Sequence, residues 1–317
     1  MMAASEPVSA WWSSESSASA RRAGSRSESE IVNILRGKAH PPARMVVFGT
    51  PGVGKSTFAC GAPGVLALDY ERGLSEIGPD RVEGETTWER SLALVREVCT
   101  MPGDHRTIVI DTIDKLEDQA TDDVCRVGIK GRSVKSISDF GYSDGFEAQL
   151  ARWRELLFTL ESARDHGREV ILVAHVQNKT QDDPQLGSYG KWIAALSRRC
   201  WGATHRWADA VLFAQYEQGL IEGRVVMTGE RVLRTTAGSG YDAKNRWSLP
   251  PVLSLSWDAF AAARASCQRP ASEVIAGIRA LATEDTRAKA EEYISLAAED
   301  VPRLLAVERK LKERVSA

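Results

Sequence analysis

Cysteine is scarce in this sequence, and its few positions are scattered. The chain has five cysteines among 317 residues, an odd number, and none of them forms a C-x-x-C pair. This usage is typical of reduced cysteines and gives no disulfide framework. We therefore expect a cytoplasmic protein rather than a secreted one. The positions are Cys60, Cys99, Cys125, Cys200 and Cys267.

The net charge is also close to zero, and the sequence has no long apolar run. A formal net charge of −2 excludes a protein that coats nucleic acid by charge alone, although a local basic patch stays open. No apolar run approaches the roughly 20 residues that span a bilayer, and the first residues contain no apolar signal core. With 43% hydrophobic residues, the chain can build a large core in one or two domains.

The first 30 residues have little to bury. They are rich in Ser, Ala and Glu, and their only large apolar pair is Trp11-Trp12. Such a segment cannot offset the entropy lost on ordering, so residues 1–30 are predicted to be a disordered arm.

From residue 43 onward, short apolar runs alternate with helical patterns. Helices are expected over Thr87–Cys99 and from Asp144, where Asp144 and Glu147 have capping-box spacing. Nearly all-apolar strands between helices predict an α/β fold with a mostly parallel sheet covered on both faces. The expected strands are Met45–Phe48, Val65–Leu68, Thr107–Ile110, Val170–Ala174 and Ala210–Ala214.

The last third of the chain has a different pattern. Gly219–Thr228 and Arg231–Thr236 predict a β-hairpin that turns at Thr228-Gly229-Glu230. From about Ser272, the sequence is rich in Ala, Glu, Arg and Leu, which predicts two or three C-terminal helices.

Residues 49–56 match the phosphate-binding pattern G-x-x-x-x-G-K-S/T at every fixed position. Glycines let the backbone curl so that its N–H groups face phosphate oxygens. The lysine reaches the β- and γ-phosphates, and the serine hydroxyl is a Mg²⁺ ligand. The sequence therefore predicts binding of ATP and Mg²⁺. The predicted contacts are Gly49, Thr50, Pro51, Gly52, Val53, Gly54, Lys55, Ser56 and Thr57.

Three strand ends supply the groups that hydrolysis needs besides a phosphate cradle. Asp111 ends a buried strand and is the candidate second Mg²⁺ ligand. Glu71 lies just beyond another strand and could polarise the attacking water, although it could equally be a surface carboxylate. His175, or Gln177 two residues later, could contact the γ-phosphate.

These residues resemble the RecA-like core of the P-loop ATPases. That family has a Glu after the strand that follows the P-loop helix, as Glu71 is here, and a sensor, usually Gln, where His175 stands. Ala243-Lys244-Asn245-Arg246 resembles the K-x-R finger that such motors insert into a neighbouring subunit, with Trp247-Ser248 in place of the usual glycine. The resemblance implies that Lys244 and Arg246 act catalytically in a homo-oligomer, a ring or filament with its sites at subunit interfaces.

The order of motifs also looks like the phage RecA-like ATPases that accompany single-strand annealing and recombination. The resemblance implies a RecA-like ATPase domain over residues 40–260, a helical appendage over 261–317, and a bacterial cytoplasm as the location. Its motifs are Asp-Phe-Gly-Tyr at 139–142, Val-Ala-His at 173–175, Asp-Pro at 183–184, Trp-Ala-Asp at 207–209 and Ala-Lys-Asn-Arg at 243–246.

Two segments combine cations with aromatics, as single-stranded DNA binding requires. The first, Arg126 to Tyr142, contains Arg126, Lys130, Arg132, Lys135, Phe140 and Tyr142. The second is a loop that follows the sensor and contains Lys179, Tyr189, Lys191 and Trp192.

Other functions remain open at this point. Asn178-Lys179-Thr180-Gln181 nearly forms the guanine-binding motif of GTPases, but Gln181 stands where that motif requires Asp. A small-molecule kinase would use the same P-loop. A nucleotide-gated assembly protein that binds no DNA is the third alternative.

Overall fold

The structure, a computed structural model, describes residues 40–183, 187–221 and 224–316. The chain divides into two compact units, Met1–His40 and Pro41–Ala317. The predicted arm over residues 1–30 lies outside the described residues, so the account below concerns the second unit. No helix among the described residues is long and apolar enough to cross a membrane.

A nine-stranded, mostly parallel sheet forms the centre of the second unit, with order β11-β9-β8-β1-β5-β4-β2-β3 and β10 beside β8. Strand β1 pairs in parallel with β5 and β8, and β4 pairs in parallel with β5 and β2. All five predicted strands are confirmed. The strands of this sheet are β1 Arg44–Gly49, β2 Val65–Asp69, β3 Asp80–Glu83, β4 Thr107–Asp111, β5 Glu169–Ala174, β8 Ala210–Ile221, β9 Arg224–Arg234, β10 Lys244–Asn245 and β11 Val252–Ser254.

Helices cover both faces of the sheet because the central strands are apolar on both sides. Val46 and Phe48 pack into the core beneath one helical layer, whereas Met45 and Val47 pack into the core on the other face. The first layer contains α2 Trp88–Thr100, α3 Ile113–Val127, α4 Asp144–Asp165 and α5 Arg198–Trp207, and the second contains α1 Lys55–Cys60 and α6 Trp257–Gln268. This is the α/β fold that the sequence predicted, a mostly parallel sheet with helices on both faces.

Three C-terminal helices form their own apolar cluster, as predicted. They are α7 Ala271–Leu281, α8 Glu284–Ala297 and α9 Val301–Ser316. Residue 260, the expected end of the ATPase domain, lies within α6, where Phe260 is fully buried against the sheet. The division into domains stays a prediction.

The predicted β-hairpin exists, but its turn was placed wrongly. Strands β8 and β9 pair from Phe213↔Arg234 to Ile221↔Arg224, so Thr228-Gly229-Glu230 lies inside β9. The pairing shifts between Tyr216 and Gln218, and Gly229 has a φ of 85°. The glycine therefore serves a bulge in a long strand, where a left-handed residue is also required, rather than the turn.

Two further local predictions were wrong. The expected loop after the sensor is a separate two-stranded antiparallel sheet, β6 Val176–Asp183 and β7 Gly187–Ala194. Helix α4 begins at Asp144, as expected, but Ser143 is its N-cap and no side chain caps it. Glu147 does not form the capping box, because its carboxylate instead accepts a hydrogen bond from Arg199.

Candidate nucleotide-binding and hydrolysis site

The P-loop joins β1 to α1 and encloses the Lys55 side chain. Lys55 Nζ donates hydrogen bonds to the carbonyl oxygens of Gly49 and Thr50, each 3.1 Å away. Gly52 and Gly54 have φ values of 72° and 105°, which side chains other than glycine's rarely adopt. The predicted curl is therefore present, with the ammonium group held within it.

Gly49 has a different purpose from the other two glycines. A Cβ atom on Gly49 would lie 2.0 Å from the carbonyl oxygen of Ala214 on β8. Position 49 therefore requires glycine because two neighbouring strands approach closely at the start of the loop.

Burial perturbs the two oppositely charged groups at the centre of the site. Desolvation lowers the pKa of Lys55, although the nearby Asp111 carboxylate opposes this effect. Burial also raises the pKa of Asp111, against a hydrogen bond from Ser56. Lys55 and Asp111 are 7% and 4% exposed, so each charge is held in a low-dielectric environment where it acts strongly on a ligand.

The loop after β2 is fixed by a carboxylate that the sequence analysis did not select. Asp69 is buried, and its two oxygens accept hydrogen bonds from the main-chain N–H groups of Gly73 and Leu74, each at 3.1 Å. Glu71 lies within this loop, and its Oε1 accepts a hydrogen bond from Thr112 Oγ1 at 3.2 Å. Strand β4 thus leads directly to a residue that orients Glu71.

His175 is held by Asp114, another residue that the sequence analysis missed. The main-chain N–H of His175 donates to Asp114 Oδ1 at 3.0 Å, and His175 Nδ1 lies 2.8 Å from Oδ2. His175 Nδ1 is also 3.6 Å from Glu71 Oε1. An acidic residue in the first turn of the helix after β4 was the available signal, but such residues are common at helix N-termini for stability alone.

Of the two sensor candidates, only His175 lies against Glu71. The side-chain amide of Gln177 instead donates to the carbonyl oxygens of Ala194 and Leu196, at 3.0 and 2.7 Å. Gln177 therefore ties the base of the β6–β7 ribbon to the chain that follows it.

The site's oxygen donors fit Mg²⁺. Ser56 and Asp111 are close enough to share a hydrogen bond, so a hydroxyl and a carboxylate converge beside the P-loop. Hard oxygen ligands of this kind suit Mg²⁺, which usually takes one or two protein ligands together with phosphate oxygens. The predicted pair Ser56 and Asp111 is thus brought together by the fold.

A comparison with protein-family models matches residues 41–247 to the AAA domain family. The chain belongs to that family. It is therefore a P-loop NTPase, and the match covers the P-loop and every strand end described above. The RadB recombinase crystal structure is 16% identical, with a TM-score of 0.36 over 61% of this chain and 80% of that chain. No curated protein matches this chain.

In this AAA domain, Lys244 and Arg246 lie at the opposite edge of the sheet from the P-loop. Lys244 pairs with Val211 near the start of β8, whereas Gly49 pairs with Ala214 further along it. Lys244 Nζ lies 2.7 Å from the carbonyl oxygens of both His205 and Ala208, which end α5.

Arg246 has a partner in its own chain and also faces solvent. Its Nη1 lies 3.0 Å from Asp209 Oδ1, and its side chain is 52% exposed. Residues at the amino end of parallel strands cannot reach a ligand at the carboxyl end of the same sheet. Neither cation therefore reaches the P-loop of its own chain.

The β6–β7 ribbon of the AAA domain arranges part of the second cation–aromatic segment on one face. Lys179 lies opposite Lys191, and Gln181 lies opposite Tyr189. Because side chains alternate along a strand, Lys179, Lys191 and Tyr189 share a face, while Trp192 lies on the other. Lys191 is also 3.8 Å from Asp242, so Lys179 is the more accessible cation.

The first cation–aromatic segment is partly neutralised. Arg126 forms an ion pair with Asp123 at 2.6 Å, and Arg132 donates to the carbonyl oxygen of Asp139 at 3.2 Å. Tyr142 is fully exposed beside these groups. The segment thus keeps an exposed aromatic; Arg126 is paired with an anion in the chain, whereas Arg132 keeps its charge.

Proposed function

We propose that this protein binds ATP with Mg²⁺ and hydrolyses it, with Glu71 as the group that activates water. The observation that carries this proposal is the convergence of three neighbouring strand ends on the P-loop. Strands β2, β4 and β5 bring Glu71, Asp111 and His175 to the edge where Lys55 lies. Ligands of open α/β sheets bind at this carboxyl edge.

Each group has a distinct task in the proposed reaction. Lys55 and the loop N–H groups bind the β- and γ-phosphates, while Ser56 and Asp111 hold the metal. Mg²⁺ held by these two residues would neutralise charge that develops on the phosphates. Thr112 orients the Glu71 carboxylate, which accepts a proton from the attacking water. His175, fixed by Asp114, contacts the γ-phosphate.

The reaction is proposed to need a neighbouring subunit. Arg246 is half exposed on the edge remote from its own P-loop, where it can face another copy of the chain. A cation supplied in trans contributes roughly 10³–10⁵ in rate in other P-loop enzymes. Lys244, which caps α5, would act beside Arg246 by supporting the same edge. We therefore propose a homo-oligomer, a ring or a filament.

Single-stranded DNA is the proposed substrate of this motor, in recombination or annealing of the kind served by the phage ATPases that the chain resembles. The ribbon begins directly after His175, so a contact with the γ-phosphate can be passed to Lys179 and Tyr189. The guanine-binding alternative is disfavoured because Asn178 and Lys179 lie on opposite faces of β6, not in a loop. All five cysteines are free, which agrees with a cytoplasmic location.

Nucleotide binding and turnover test the proposal in one series. Lys55→Ala should weaken Mg-ATP binding sharply by calorimetry, because it removes the charge that offsets the γ-phosphate. Phosphate release by the wild type should increase when single-stranded DNA is added. Wild-type affinity in Lys55→Ala would overturn ATP binding at the P-loop, whereas equal turnover with and without DNA would overturn only the proposed substrate.

A further inference from the structure

A cross-strand pair on the β8–β9 hairpin packs against the P-loop. Tyr216 and Arg231 lie directly opposite each other, so their side chains share one face of the hairpin. Tyr216 Oη is 3.4 Å from the carbonyl oxygen of Gly52 in the P-loop. A methyl group built on Gly54 would lie 3.2 Å from Arg231 Nη1. Two independent contacts therefore place this face of the hairpin on the loop.

Arg231 has no anionic partner among the described residues. Its side chain is exposed, and no carboxylate in that part of the chain lies within ion-pair distance of it. Arg234, three residues later in β9, is by contrast 3.8 Å from Glu217. A guanidinium group stays charged at all physiological pH values. Arg231 thus places a free positive charge beside Gly54, the residue before Lys55.

We propose that Arg231 binds a phosphate oxygen of the nucleotide held by the P-loop of its own subunit. The inference rests on the proposed ATP binding. It differs from the trans cation, since Arg246 lies at the opposite edge of the sheet. A guanidinium fork matches phosphate geometry, and the polyphosphate chain is the anion that the adjacent loop is built to hold. Tyr216 holds the hairpin against the loop and so positions Arg231.

The experiment measures the affinities of mant-ATP and mant-ADP by fluorescence titration, with Mg²⁺. Arg231→Gln should weaken both by about tenfold or more, as expected for loss of a charge-assisted hydrogen bond. Arg231→Lys should recover part of the loss. Because a charge is removed, the affinity of Arg231→Gln should also depend less on salt concentration. Arg154→Gln, an exposed arginine on α4, is the control of equal charge change and should bind like the wild type.

The outcomes separate this inference from the function on which it rests. If Arg231→Gln binds within twofold of the wild type while Lys55→Ala binds poorly, the Arg231 contact does not exist and ATP binding stands. If the wild type binds neither nucleotide, both proposals fail. Thermal melting checks folding. If Arg231→Gln fails to fold, Arg231→Ala takes its place, and an affinity for mant-ATP within twofold of the wild type would overturn the contact.

Discussion

Asp114 offers a sharp test of how the site is built, because it holds His175 and makes no hydrogen bond to the P-loop. Its carboxylate accepts one hydrogen bond from the His175 main chain, at 3.0 Å, and one from the ring, at 2.8 Å. In Asp114→Asn, the amide oxygen can still accept from the main chain. The amide nitrogen can only donate, so Nδ1–H loses its charged acceptor and the ring can be held only in the opposite tautomer.

The expected magnitude follows from the nature of that bond. A hydrogen bond to a charged group contributes about 1.5–3 kcal/mol, which corresponds to a loss of about 10- to 150-fold in rate if it acts only in the transition state. We expect kcat to fall by this amount and the KM for ATP to change little, since Lys55 and the P-loop are untouched. The melting temperature should stay within about 4 °C of the wild type, because the main-chain bond is kept.

The assay is steady-state phosphate release at saturating Mg-ATP, with Asp118→Asn as the control. Asp118 is exposed on the same helix one turn later, so its substitution removes the same charge without touching His175. Equal kcat values for Asp114→Asn and Asp118→Asn would refute the idea that His175 must be oriented for turnover.

Three further predictions concern assembly and stability. Mixing Arg246→Ala with Lys55→Ala should restore part of the ATPase activity, since one variant keeps the P-loop and the other keeps the finger; a mixture as inactive as its components would contradict a trans finger. Gly49→Ala should destabilise the protein severely in chemical denaturation, because its Cβ atom would lie 2.0 Å from a β8 carbonyl oxygen, and wild-type stability would contradict that contact. Asp209→Asn should lose about 1.5–3 kcal/mol at pH 7, because it removes the carboxylate charge 2.9 Å from the mostly buried Arg44 guanidinium, which keeps only Glu161 as an anionic partner. Burial opposes ionisation of Asp209, but its contacts with Arg44 lower the pKa overall. The difference in stability between wild type and Asp209→Asn should therefore shrink as the pH falls below about 4 and through the lowered pKa of the folded state. A constant difference down to pH 3 would contradict the pairing.

The parallel sheet could be predicted because its strands must be apolar on both faces. Runs such as Val170–Ala174 have no polar residue that could face water, and helices separate them, so few other folds can bury them. The carboxyl edge then follows from topology, which is why Glu71, Asp111 and His175 could be grouped before their contacts were known. The edge strand β3 could not be predicted, because its sequence, Asp-Arg-Val-Glu, is mostly exposed and contains no apolar run.

Features that depend on partners distant in sequence could not be predicted. The Asp114–His175 contact joins residues 61 positions apart, and nothing in the local pattern distinguishes Asp114 from an ordinary acidic residue at a helix start. The sequence predicts a loop in place of the β6–β7 ribbon because the ribbon's residues are mostly polar on both faces, which leaves no alternation to detect. The sequence predicts a turn at Gly229 because turns and bulges can require the same left-handed backbone conformation.

The central claim is that Glu71 activates water for hydrolysis of ATP bound at the P-loop. Its most direct test compares wild type and Glu71→Gln in one preparation, with mant-ATP affinity and phosphate release both measured. The amide keeps the shape of the carboxylate but cannot accept the proton, so we expect unchanged affinity and turnover reduced at least about 100-fold. Wild-type turnover in Glu71→Gln would contradict the account and would indicate that Glu71 is an ordinary surface carboxylate.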